Sequence, residues 1–489
     1  MKHSIVIVAF LIAIIFASCE KEVTDIKPND RLSSDLAFST AQKAEAAVIG
    51  GYDALQSANY LSGRALVYVD LMGEDVYDKG NFFGDLPSFN MLSNNGFPAG
   101  VWTAGYAAIA TANRAIAGIA ANPTILTPAK AKELTAECLF VRAVSHFYLV
   151  NFFAQPYVFT ANATHPGIPV VKRNFSSNDP AANLPRVSVA DVYKSILEDL
   201  DKALLDLPAA YTTTYATKTR ATQAAAAAML SRVNLYKADY AKARSFSLNI
   251  IDGLYGNFLL NASPSGVFGP GNYTTTESIW SIPNNASDNP NTNNALPQHY
   301  FPAGRADIAL SASFLSGAAN PYFALDDKRR TLMIINGNGG NAAFFFTNKY
   351  PDVANRADWA PIIRYSEVLL TYAEANARLA TDVDPDAIQK LNLVRDRSRV
   401  GAAQYTVAGF ANKDSLLKAI LGERRIELSF EGHRFWDVMR LKGSIVGKYD
   451  NDGVSILPVQ VFGADKNIFP IPQAEIDKSR GVLVQNPGY

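Results

Sequence analysis

Hydrophobic positions fall into three regimes along this chain. Ile5 to Ala17 is an unbroken apolar run. Further on, apolar residues recur every three or four positions, the mark of helices that bury one face. Trp102–Ala121 places Tyr106, Ile109, Ala110, Asn113, Ile116 and Ala117 along one side. Ala129–Phe153 does the same with Leu134, Cys138, Val141, Ser145 and Tyr148, and Pro156 ends it. Val189–Leu207 and Ala221–Lys237 form another pair around Pro208, followed closely by Tyr240–Ile251. Ile363–Ala380, Asp386–Arg399 and Lys413–Arg440 also read as helices. The third regime lacks this period: residues 60–101, punctuated by glycines, and residues 256–362, rich in Asn, Gly, Pro, Ser and Thr. Long stretches of that kind inside a compact protein are functional or disordered, and their aromatics argue for order.

Paired helices need stacked neighbours to bury their apolar faces, so the pattern predicts a helical array. Leu230–Asp252 resembles the tetratricopeptide pattern, with Asp239-Tyr240-Ala241-Lys242-Ala243 at the entry to a second helix and Ala238 where that repeat prefers Gly. The predicted fold class is mostly α. It is a tetratricopeptide-like array of helical pairs (about 102–154, 189–252 and 363–441) with long loop-rich insertions (60–101 and 256–362) carrying short strands. One domain spans 19–489.

The apolar run at the start is thirteen residues long, too short for a membrane span of about 20, and reads as a signal peptide over 1–18. It closes on Ala17-Ser18-Cys19, which looks like a bacterial lipoprotein cleavage site, with Phe16 where that pattern prefers Leu. Cys19 is then expected to carry acyl chains such as palmitate, which hold a protein at a bilayer when more than one is attached. The alternative is an ordinary secretory signal with an incidental Cys. The polar residues 19–30 read as a tether. Cys138 is left without a partner, in a pattern where a free Cys is a small buried hydrophobe.

Charge then narrows the function. Lys and Arg number 45, and so do Asp and Glu, with no basic stripe, so nucleic acid is not an expected partner. Histidines 146, 165, 299 and 433 have no metal-ligand spacing, and no metal or other cofactor is expected. Asp382–Asp386 and Asp450–Gly453 lack a full calcium-loop pattern and read as a helix cap and a turn. Glu423, Glu427 and Glu431 lie on one helix stripe with Arg424 and Arg434 nearby. A glycosidase needs two acids facing each other across a sugar, so these read as helix-surface or helix-packing pairs that serve folding.

The last part of the chain carries a family likeness. Arg364-Tyr365-Ser366-Glu367-Val368-Leu369-Leu370 with Tyr372-Ala373-Glu374-Ala375, the run Glu423-Arg424-Arg425-Ile426-Glu427-Leu428 into Glu431-Gly432-His433-Arg434-Phe435-Trp436-Asp437, then Phe469-Pro470-Ile471-Pro472 and Gln485-Asn486-Pro487-Gly488-Tyr489 resemble the SusD/RagB family. Trp102, Tyr106 and Asn113-Arg114-Ala115 match an early helix of that family. The resemblance implies a non-enzymatic, lipid-anchored binder of oligosaccharide or a related nutrient, exposed at the cell outer membrane. Its implied partner is a SusC-like TonB-dependent transporter, over which it sits as a lid. Two rival readings are a secreted glycan hydrolase on a helical scaffold and a protein-only helical-repeat adaptor.

A sugar offers apolar C–H faces and a polar rim, so its binder needs aromatic platforms beside hydrogen-bonding side chains. Phe82 and Phe83 lie between Asn81 and Asp85. Tyr300 and Phe301 follow Gln298-His299, with Arg305 nearby, and Trp359 follows Asp358. Phe82, Phe83, Tyr300 and Phe301 are the stacking candidates, in segments 78–100 and 284–305. Trp102 and Trp436 are assigned to packing.

Overall fold

The computed structural model describes residues 34–175, 180–399 and 401–489. Cys19, the signal sequence 1–18 and the tether 19–30 lie outside them. The scaffold is a run of helices: α1 (Ala41–Leu55), α2 (Arg64–Met72), α3 (Gly96–Ala121), α4 (Pro128–Phe153), α5 (Val189–Asp206), α6 (Gln223–Tyr236), α7 (Tyr240–Ile251), α8 (Tyr365–Leu379), α9 (Pro385–Asp396), α10 (Lys413–Glu427) and α11 (Arg434–Arg440). Several start on side-chain caps that satisfy first-turn N–H groups: Thr127 accepts from Lys130, Ser188 from Asp191, Thr222 from Ala225 and Asp384 from Ala387. Each of α3 to α7 packs on the next, α7 packs on α8, and α8 carries α9 and α10, while α1 covers α3. The fold is thus mostly α and stacked in the tetratricopeptide manner. One apolar core runs through it, with Cys138 buried and unpaired. Among the described residues no helix is long and apolar enough to cross a membrane.

The structure departs from the periodicity in four places. Helix α2 lies inside the segment read as loop-rich, and α3 begins at Gly96, earlier than expected. All of α2 beyond Arg64 is buried, so it shows no polar face and no period. Ile363 and Arg364 belong to a strand. The stretch Lys413–Arg440 is broken between α10 and α11, where Phe430 and Gly432 take left-handed conformations (φ 63° and 75°). A Cβ on Gly432 would sit 3.1 Å from Leu66 Cα, so the turn against α2 requires glycine. Ala238, in the glycine position of the repeat-like turn, also has φ of 60°.

Among the described residues six short strands form three antiparallel pairs. β1 (Val76–Asp78) pairs with β3 (Ile308–Leu310), β2 (Ser278–Ile282) with β6 (Ala360–Arg364), and β4 (Ile334–Asn336) with β5 (Phe345–Thr347). The first pair, with Val76 opposite Leu310 and Asp78 opposite Ile308, ties the two loop-rich segments together.

The charges of α10 and the turn after it are buried, not on a helix surface. Arg329, Lys349, Arg364 and Arg397 meet Glu277, Asp327, Glu423, Glu427 and Glu431. The contacts include Arg329–Glu423 at 2.6 Å, Arg364–Glu431 at 2.7 Å, Arg397–Glu277 at 2.6 Å and Lys349–Glu431 at 2.6 Å. A neighbouring set joins Arg232 to Glu367, Arg424 to Asp437, and Arg440 to Glu374 and Asp437. Ionised groups survive such burial because each is paired and hydrogen-bonded. Of the two readings, surface pairs or packing pairs, burial excludes the first and bears out the second.

Candidate functional site

The site is built where the two loop-rich segments meet. Asp78 at the end of β1 closes a turn by accepting the backbone N–H groups of Phe82 (3.0 Å) and Phe83 (2.6 Å). Gly80 N–H donates to Asp307 O at 3.1 Å, fastening that turn to the residue before β3. Burial pushes Asp78 up to about 6, against those two N–H donors and with Asp307 adding like charge. Asp307 is raised by burial too, but bonds from His299 (2.9 Å) and Arg305 (2.9 Å) outweigh it and hold it low. His299 is kept neutral chiefly by its burial.

Phe82 is half-buried, with two guanidinium groups against it. Arg305 Cζ lies 4.4 Å from its ring centroid and Arg64 Cζ 5.3 Å. Arg305 Nη1 donates to Asn293 Oδ1 at 3.1 Å, while Arg64 donates to Asn293 O (Nη2, 3.2 Å) and Asn59 Oδ1 (3.4 Å). Arg305 thus has a carboxylate, Asp307, whereas Arg64 has only neutral acceptors among the described residues. Close backbone approach makes this possible, since a Cβ on Gly63 would fall 2.2 Å from Asn294 O. Beside Asn59 opens a concavity of about 720 Å³, with Gln56, Gly100, Thr103, Asp288 and Asn289 among its lining residues. Aromatic face, guanidinium groups and amides together suit a polyhydroxylated ring.

The four stacking candidates separate. Phe82 is in the cluster. Phe83 is wholly buried (0 % exposed) against Tyr68, Phe97 and His299, and belongs to the core. Tyr300 is also 0 % exposed, its hydroxyl donating to Asp70 at 2.6 Å and its ring against Tyr350. Both are corrected to packing roles, because neither offers a face to a ligand. Phe301 is half-buried at the turn that leads to Arg305. Trp102 and Trp436 are buried, as assigned. Arg64, Asn59 and Gln56 escaped the sequence reading. The one signal there was Gly63-Arg64 within a glycine-punctuated stretch. Among the described residues no group of His, Cys, Asp and Glu is arranged to hold a metal ion.

Comparison with known proteins agrees with this architecture. A family model described as "Starch-binding associating with outer membrane" matches residues 61–235, and the "SusD family" model matches residues 336–489. The first covers Arg64 and Phe82, the second the buried charges of α10, and Asn293 and Arg305 fall between them. "SusD-like protein P2" of Formosa agariphila is 24% identical over 100% of both chains. A SusD superfamily protein from Bacteroides fragilis superposes with TM-score 0.78 at 25% identity, covering 91% of this chain and 99% of its own. One from Bacteroides thetaiotaomicron reaches TM-score 0.80 at 24% identity, covering 92% and 100%. Motifs, helical order and full-length likeness converge: the chain belongs to the SusD/RagB family.

Proposed function

We propose that this protein binds an oligosaccharide at the Arg64–Phe82–Arg305 cluster and its adjoining concavity, without turning it over. It then delivers the glycan to a SusC-like TonB-dependent transporter while held at the outer membrane through acylated Cys19. The observation that carries the reading is the half-exposed Phe82 ring, flanked by two guanidinium groups and by the amides of Asn59 and Asn293. The description of the matching family, starch-binding and associated with the outer membrane, supports the ligand class and the place. The transporter and the anchor rest on the resemblance and on the short apolar run before Cys19.

Calorimetry of purified protein against neutral and acidic oligosaccharides tests this reading. Phe82→Ala and Arg305→Ala should each weaken binding roughly fivefold, since an aromatic or cation–π contact contributes about 1 kcal/mol and 1.4 kcal/mol is a decade. Affinity unchanged in both variants, or new reducing ends in the incubated glycan, would sink it.

A further inference from the structure

The Asn-rich loop 284–293, which reaches Arg64 and Arg305 at its far end, begins on a different concavity. That hollow is open, about 510 Å³, and is lined by Asn284, Asn285 and Ala286 together with residues of three other segments. Three aromatic rings meet there. Tyr273 stacks on Trp359 with centroids 5.0 Å apart and planes 11° from parallel, and Tyr215 stands across Trp359 at 5.4 Å and 84°. The group is fixed from behind. Trp359 Nε1 donates to Asn284 O at 3.0 Å, and Asn284 Nδ2 donates to Asp358 O at 2.9 Å. The Tyr273 hydroxyl donates to the Asp358 carboxylate, which also accepts Asp352 N–H at 2.6 Å.

Packing alone does not account for this arrangement. Trp359 is only 8 % exposed, but Tyr215 is 54 % exposed and is carried on a short helix, Thr214–Thr219. A rigid indole thus holds one tyrosine face-on and one edge-on at the wall of an open hollow. Polar atoms surround the rings. Asn285 and Asn355 bring amides, Thr274 a hydroxyl and Asp352 a carboxylate. No Lys or Arg lines the hollow, so an acidic group would find no counter-charge. The matching ligand has an apolar face for the rings and hydroxyl groups for the amides and carboxylate.

We propose that Tyr215, Tyr273 and Trp359 form a second carbohydrate site, specific for a neutral pyranose ring and separate from the Arg64–Phe82–Arg305 cluster. It takes its ligand class from the function proposed above, but its position and its preference for a neutral ring stand on the hollow itself. Tyr215 and Tyr273 contact the sugar, and Trp359 positions both.

The chain has four tryptophans. The other three, Trp102, Trp280 and Trp436, do not line this hollow, so 5-fluorotryptophan labelling and fluorine NMR give one resonance that reports it, assigned with Trp359→Phe. Maltohexaose, cellohexaose, xylohexaose and laminarihexaose serve as neutral probes. At least one should shift the Trp359 resonance saturably. Tyr215→Ala, at an exposed position, should weaken that response roughly tenfold, while Phe82→Ala leaves it intact. A Trp359 resonance that ignores all four sugars, or a response untouched by Tyr215→Ala, overturns the site. A response lost in Phe82→Ala overturns its separateness. A response that persists when no sugar binds the Phe82 cluster leaves this site standing and removes the first.

Discussion

Glu427→Gln is the perturbation that weighs the buried charges most directly. The Glu427 side chain is 0 % exposed and accepts from Arg329 at 3.0 Å, Arg364 at 3.0 Å and Arg397 at 2.7 Å. Burial alone would raise its pKa, yet Arg397, Arg364 and Arg329 hold it well below the ordinary 4.5. Glutamine keeps the shape and removes the charge that these three guanidinium groups share. Removing one partner of a buried pair costs about 3–5 kcal/mol. Unfolding entropy of about 2.1 cal/mol/K per residue amounts to roughly 1 kcal/mol/K for a chain of this length, so Tm should fall by about 3–5 °C. Glu423→Gln is the internal control. Burial outweighs Arg329 and pushes Glu423 up, so less depends on its charge. Arg329 keeps Asp327 at 2.7 Å as well as Glu427, so this variant should lose only about 1 °C.

Calorimetry from pH 7 to pH 4 adds the sign. A carboxylate whose folded pKa is depressed contributes in full above its unfolded value and loses that contribution as pH falls. The gap between the parent and Glu427→Gln should therefore be full at pH 7 and narrow below about pH 4.5. Sugar binding should be unchanged. Equal Tm values for the parent and Glu427→Gln at pH 7, a larger loss for Glu423→Gln, or a gap indifferent to pH would refute the reasoning.

Other outcomes follow from single sites. Burial pushes Asp70 up to about 8, so keeping it ionised costs more as pH rises from its unfolded value toward 8. Asp70→Asn should match or exceed the parent in urea at pH 8, with an advantage over pH 5 growing by at most roughly 1.4 kcal/mol per pH unit, and lower stability at pH 8 would refute this. Ala238→Gly relieves a left-handed alanine at a cost in unfolded-state entropy, and should raise stability by about 0.5–1 kcal/mol in denaturant melts. A decrease would show that Ala238 contributes through its methyl group instead. Cys19→Ala should move the protein to the soluble fraction, and a variant still on the membrane after high-salt washing would remove the proposed anchor.

Periodicity made the scaffold legible where a helix buries one face, as α3, α5, α7, α9 and α10 do, each beginning on a capping side chain. Helix α7 shows this best, since Asp239 caps it and its apolar positions recur regularly. Helix α2 is only nine residues long and is buried from Ala65 to Met72, so it offers neither a polar face nor the length to show a period. The break after α10 depends on Leu66, a contact no local pattern contains. At the site, the pairing of aromatics with amides picked out Phe82 but could not separate it from Phe83. The Asp78 turn decides which of the two adjacent rings faces outward. Arg64 and Asn293 are 229 positions apart, so their meeting exists only in the folded chain.

The buried charge cluster also sets an order of assembly. Its cations Arg329 and Lys349 belong to the insertion that carries Asn293, Arg305 and Trp359, whereas Glu423, Glu427 and Glu431 come from α10 and the turn after it, 82 to 98 positions further along the chain. Until those acids arrive, Arg329 has only Asp327 and Lys349 lacks the carboxylate of Glu431, and a buried cation must be paired. The early helices can stack on one another, but the loops of the candidate site close only when the helices from α10 onward lie across them. A folding chain therefore completes that surface only once those acids are in place, and a fragment ending before α10 would expose it half-built.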